Sequence, residues 1–127
     1  MEYNWFMMKA IDHLDTHCDQ ALHEEHEHVL RPARTVSDSA RLFQALGSIE
    51  RLQLMERLLD QEHCVSELAH ELEEKVTTIS QRLQQLHQAR LVSKERRGKH
   101  IYYSIADHHV RELLTNTFDH VEEERLR

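Results

Sequence analysis

Pro32, Gly47 and Gly98 are all the proline and glycine in this chain of 127 residues. These two residue types stop helices and open tight turns, so a chain this poor in them is constrained to long helical stretches with few turn-built strands. Where Gly98 falls, the period changes: LVSKERRGKHIYYSI has β-rich ends around a charged centre, the pattern of a two-stranded hairpin. Elsewhere the apolar spacing is helical. Residues 3–17 place Tyr3, Met7, Ala10 and Leu14 on a narrow stripe that Trp5, Phe6 and Ile11 widen. Arg31-Pro32 closes a segment rich in histidine and acid, because the residue before proline disfavours the helical region. Ser37 or Asp38 then caps a helix running to about Gly47, with Ala40, Leu42, Phe43 and Leu46 facing inward. The next covers about 49–60, with Ile49, Leu52, Met55 and Leu59 on one side. Two short helices, roughly 64–73 and 77–89, precede the hairpin, and a last helix over 107–124 follows it.

The expected class is therefore mainly α with a small β-hairpin, in the order α-α-α-α-β-β-α. Residues 1–36 read as an N-terminal helix and arm, and 37–127 as one domain of ordinary size. The chain has no long apolar run and no secretory leader pattern, so a cytoplasmic protein without a membrane partner is expected. Its two cysteines, Cys18 and Cys64, are then expected to be reduced.

A net charge of −7 argues against nucleic acid until its distribution is considered. Residues 75–105 hold seven Lys and Arg against the single acid Glu95, while the segments on either side are acidic. For DNA the local patch is what matters. Two short helices followed by a basic hairpin make a winged helix-turn-helix, whose second helix enters the major groove while the hairpin lies on the backbone. In TTISQRLQQLHQA, Ile79, Leu83 and Leu86 form the buried face, and Thr77, Thr78, Ser80, Gln81 and Arg82 crowd hydrogen-bonding groups at the N-terminal end. Gln can pair with adenine, Arg with guanine, and Thr or Ser with phosphate or a thymine methyl. The hairpin adds Lys94, Arg96, Arg97, Lys99 and His100 as expected phosphate contacts. The competing view, that these are only solvated polar faces, leaves unexplained why spacing, hairpin and charge segregation coincide.

The last helix carries a second pattern. Asp107 and His109 stand at its start, and His120 and Glu123 near its end. His109 and His120 are eleven positions apart, about 16 Å along a helix axis, whereas zinc ligands lie about 2.0–2.2 Å from their ion. One straight helix cannot close such a site. An antiparallel copy can, because across a two-fold axis the Asp/His end of one chain meets the His/Glu end of the other. Two nitrogens and two oxygens suit zinc or cobalt better than copper(I) or mercury. The plainer alternative makes Asp107 only a helix cap and the histidines only surface.

Three stretches, EHCVSELAHEL, TTISQRLQQLHQARLVSKERRGKHIYYSI and DHHVRELLTNTFDH, resemble the ArsR/SmtB family of metal-sensing winged-helix repressors, most closely its zinc-sensing SmtB-like branch. The resemblance spans about residues 37–124. It implies a homodimer that binds double-stranded operator DNA, an imperfect palindrome, when metal-free, and that releases it on binding zinc. Efflux or sequestration genes would then be expressed. It implies Asp107, His109, His120 and Glu123 as the sensing ligands. It also implies a second site that joins Cys64, with Glu67 beside it, to the N-terminal arm of the other subunit, where His17, Cys18 and His23 are candidates. A sensor of cadmium, lead or nickel acting through Cys64 and the arm is the alternative, and cobalt, cadmium or nickel are alternative inducers. The chain departs from the family at Ser48-Ile49-Glu50-Arg51, where Asp-Pro-x-Arg is usual, and at Glu73-Glu74-Lys75, where a glycine is usual before the reading helix.

Other classes fit less well. HEEHEH at 23–28 misses the HExxH zinc-hydrolase pattern because Glu27 takes the second histidine position, and HLDTH at 13–17 lacks its glutamate. With two glycines there is no phosphate-cradling loop or nucleophile elbow, so no enzyme and no small organic ligand is expected. A metal-storage or carrier protein would leave the basic segment without a purpose.

Overall fold

A computed structural model describes residues 30–126. Pro32–Arg127 form one compact unit, the second of the two into which the chain divides. The expected helix over 3–17 and the arm residues His17, Cys18 and His23 lie outside the described residues. Within the second unit the order is α1 (Ala33–Leu46), α2 (Ile49–Asp60), β1 (His63–Cys64), α3 (Val65–Glu71), α4 (Val76–Gln88), β2 (Val92–Arg97), β3 (His100–Ile105) and α5 (His108–Arg125). The strands form one antiparallel sheet in the order β1-β3-β2. The architecture is a winged helix-turn-helix with α3 and α4 as the reading pair and β2-β3 as the wing. No described helix is long and apolar enough to cross a membrane.

The helix starts follow local chemistry. α1 begins at Ala33 rather than at Ser37 or Asp38, because Pro32 stands at its cap with an extended ψ and its carbonyl accepts from the amides of Thr35 and Val36. Proline there sacrifices no hydrogen bond and brings a fixed φ. Ser48 caps α2 by accepting the Arg51 amide at 3.3 Å, so serine fills the place of the usual aspartate. Cys64, expected inside the third helix, instead pairs with Tyr102 on β3, and His63 pairs with Tyr103. A two-residue strand is below what periodicity can register, since alternation needs four or more positions.

One core holds these elements together. Leu54, Met55, Leu58, Leu68, Ile79, Leu83, Leu86, Leu91 and Leu114 are fully enclosed. Ile79, Leu83 and Leu86 are the expected buried face of α4. On α2 the inward set is Leu54, Met55 and Leu58, and Ile49 is exposed. On α1 Leu46 is buried and Leu42 half-buried, while Phe43 is 58% exposed and Ala40 lies at the surface. α5 packs through Val110 and Leu114, and Arg111 donates to the Leu59 carbonyl at 2.8 Å, tying it to the C-terminal end of α2.

Candidate nucleic-acid interface and metal-ligand pairs

The reading helix is presented by two similar turns. α3 ends with Glu73 at φ 54°, its amide bonding the His70 carbonyl and the Glu74 amide bonding the Ala69 carbonyl. α4 ends with Arg90 at φ 61°, bonded to His87, and Leu91 to Leu86. Both are left-handed helix terminations of the kind glycine usually supplies. At 73–75, where a glycine is usual, Glu73 takes the left-handed conformation itself. Arg51, kept from the usual motif, donates to the carbonyls of Gln44 and Ala45 and to the Gln85 side chain. It thereby fastens the end of α1 to the outer face of α4.

At the N-terminal end of α4, Thr77 and Gln81 are exposed, while Thr78, Ser80 and Arg82 are half-buried. Arg82 reaches Glu74 at 3.5 Å. Sequence reading passed over Val76, the first residue of the helix, which is 51% exposed among these polar groups. Only its place beside Thr77 and Thr78 could have flagged it. An apolar side chain at that end suits a thymine methyl.

The wing turns at Gly98, whose φ of +64° favours glycine, between the closing pair Arg97 and His100. Lys94, Arg96, Lys99 and His100 are all exposed. Arg97 donates through both terminal nitrogens to the Glu62 carboxylate and also to Glu95, and it stacks over Tyr102. The wing cations expected from the charge pattern are thus at the surface, with Arg97 engaged by Glu62 and Glu95.

The metal-ligand candidates form separated pairs. Among the described residues no group of three or more His, Cys, Asp and Glu converges as an ion would need. Asp107 caps α5, its Oδ1 accepting the Val110 amide at 3.0 Å, and His109 Nδ1 lies 3.7 Å from the same oxygen. That backbone bond above all, and then His109, holds the Asp107 carboxyl below the usual carboxylate range. At the far end, His120 Nε2 lies 3.9 Å from Glu124, one residue beyond the expected Glu123. Spacings of three and four are both neighbours on a helix, so His120 shares a face with Glu123 and with Glu124. Both pairs are exposed.

Cys64 differs in kind: it is 6% exposed and sits at the cap of α3, where Glu67 bonds back to its amide. The Cys64 side chain foremost keeps Glu67 below the ordinary carboxylate range.

Fold, the polar end of α4 and the exposed basic residues of the wing define a winged-helix transcriptional regulator. The chain belongs to the bacterial arsR family of regulatory proteins. That family's model matches residues 50–94. A transcriptional repressor SmtB homolog of Synechocystis is 38% identical over 111 residues, 84% of either chain. A cadmium resistance regulatory protein CadC homolog of Staphylococcus aureus is 33% identical over 68% of this chain and 72% of its own. The homodimeric winged helix-turn-helix domain of a possible ArsR-family regulator from Mycobacterium bovis, seen in solution, superposes with a TM-score of 0.70. It is 31% identical and covers 80% of this chain and 94% of its own.

Proposed function

We propose that this protein is a metal-responsive repressor that binds operator DNA as a metal-free homodimer and leaves it when zinc binds between the last helices. The observation that carries the reading is the separation of the two ligand pairs on α5, Asp107 with His109 and His120 with Glu123 or Glu124. Both pairs are exposed, and they lie too far apart to close within one chain. Two imidazoles and two carboxylates fit zinc or cobalt, and the ionised, capping Asp107 is ready to bind without first losing a proton. Zinc would supply a link between two chains. The chain's own residues do the rest: α5 is tied through Arg111 to α2, and α2 through Arg51 to α1 and α4, so a changed α5 pairing is carried to the reading helices.

DNA contacts are assigned to Thr77, Thr78, Ser80, Gln81 and Arg82 on α4 and to Lys94, Arg96, Lys99 and His100 on the wing. Reciprocity requires DNA to weaken metal binding by the factor by which metal weakens DNA binding, commonly about 5- to 150-fold. No catalytic step is involved, and the regulated genes are those of metal efflux or sequestration.

A second reading, a cadmium, lead or nickel sensor working through Cys64 and the arm residues His17, Cys18 and His23, is favoured by one observation. Cys64 pairs directly with Tyr102 of the wing, so a pull on Cys64 is felt there. The test is an anisotropy titration of an operator selected from random duplexes, at fixed salt, with chelator and then with zinc. Loss of affinity in wild type but not in His120→Ala supports the α5 site. Loss in both but not in Cys64→Ser moves control to Cys64, and no response in any protein rejects metal sensing.

A further inference from the structure

The wing's cations fall on two faces. Strand residues alternate, so Lys94 and Arg96 lie on one side, opposite Tyr103 and Ile101, while Glu95 and Arg97 lie on the other, opposite Tyr102 and His100. On the second face Arg97 is fully occupied. Its two terminal nitrogens grip both oxygens of Glu62, one of them also bonds Glu95 at 3.0 Å, and its guanidinium stands 4.8 Å over the Tyr102 ring. Among the described residues Lys94 and Lys99 make no ion pair, and Arg96 reaches only the Gly98 carbonyl.

The clamp sits where the sheet is thinnest. β1 pairs only with Tyr102 and Tyr103, so among the described residues the rungs Arg96–Ile101 and Arg97–His100 form a two-stranded ribbon with no third strand beside them. Such ribbons are marginal alone and twist readily. Glu62 belongs to the segment between α2 and β1, so the Glu62–Arg97 pair joins the outer wing to the body of the domain. To touch phosphate, Arg97 would have to abandon two carboxylates and an aromatic face.

We propose that Arg97 is a positioning residue for DNA binding: held by Glu62 and Glu95 against Tyr102, it fixes the wing so that Arg96 and Lys99 meet the backbone, and does not itself contact DNA. The proposal rests on the DNA-binding reading above. Its consequence runs against simple electrostatics, because deleting the acid Glu62 should weaken binding to a polyanion rather than strengthen it.

The experiment measures binding of a labelled mixed-sequence duplex, with chelator, across a series of salt concentrations. It compares wild type, Glu62→Gln, Arg97→Gln, their double variant and Lys99→Gln. Each of the first two single variants is expected to lose about fivefold in affinity, with the double variant no weaker than either, as for a pair acting through one contact. Their slopes of log K against log salt should match wild type, whereas Lys99→Gln should lower the slope by about 0.9, the share of one phosphate. Glu62→Gln binding as well as wild type or tighter overturns the proposal, as does a slope in Arg97→Gln reduced by one phosphate. Should Arg97→Gln fail to fold by circular dichroism, Glu62→Gln decides alone. Wild type showing no salt-dependent binding would remove the DNA reading itself, a failure distinct from the others, and the proposal with it.

Discussion

Glu73 and Arg90 keep left-handed backbone while carrying full side chains. For a non-glycine residue that conformation costs about 1–2 kcal/mol, and glycine recovers part of it while losing about 0.5–1 kcal/mol to its freer unfolded chain. Glu73→Gly is therefore expected to raise unfolding free energy by up to about 1 kcal/mol, read as a higher urea midpoint at unchanged m-value. A lower midpoint would mean that the Glu73 side chain contributes something the backbone account omits. The same scale explains the other departure from the usual motif. Ser48 caps α2 in place of aspartate, and Arg51 holds three partners across α1 and α4. Ser48→Ala should cost about 0.5–2 kcal/mol by the same denaturation measurement, and no loss would show that the cap bond is idle. The residue string hid these roles because a serine and an arginine are common, and what distinguishes them is where their hydrogen bonds end.

At the scale of elements, α4 was the most legible in the sequence. Its apolar positions Ile79, Leu83 and Leu86 serve one purpose, the core, and all three are fully buried. Leu83→Ala should cost about 2–5 kcal/mol, a large share of a small domain's stability, and a loss under 1 kcal/mol in thermal unfolding would contradict such tight enclosure. α1 and α2 were read less well: Phe43, Ala40 and Ile49 were expected inward and are exposed. A single stripe cannot be phased when a helix has apolar residues on two sides, and Val36 with Phe43 gives α1 a second apolar side. β1 was unreadable because two residues have no period. In α5, Asp107 has two separable roles, cap and proposed ligand. Asparagine caps as well as aspartate but binds zinc poorly, so Asp107→Asn should keep the melting temperature and lose zinc affinity, while Asp107→Ala loses both. Equal zinc affinity in Asp107→Asn and wild type, by competition with a chromophoric chelator, would leave Asp107 a cap alone.

For the whole molecule, the apolar residues left uncovered among the described residues include Val36 and Phe43 on α1 and Val121 on α5, all exposed, with Phe118 half-buried. The proposed metal pairs are carried by α5, and α1 is exposed beside the reading unit, so one interface can bury apolar surface and bring ligand pairs together. In the sequence, helix rise alone separates the proposed ligands into two pairs. What could not be read is which acid, Glu123 or Glu124, accompanies His120, since that depends on the partner's approach. A shared site makes a prediction that no single-chain site can imitate. One variant chain carries Asp107→Ala with His109→Ala, and another carries His120→Ala with Glu123→Ala. Neither homodimer should bind zinc tightly. Mixed by unfolding and refolding together, they form a heterodimer in which one interface end keeps all four native ligands and the other keeps none, so tight zinc at one equivalent per heterodimer should return. Cobalt in its place should give the intense visible bands of a tetrahedral site, again only in the mixture. If either homodimer binds zinc as tightly as wild type, the ligands lie elsewhere in the chain, and if the mixture binds none, the antiparallel pairing of α5 is wrong.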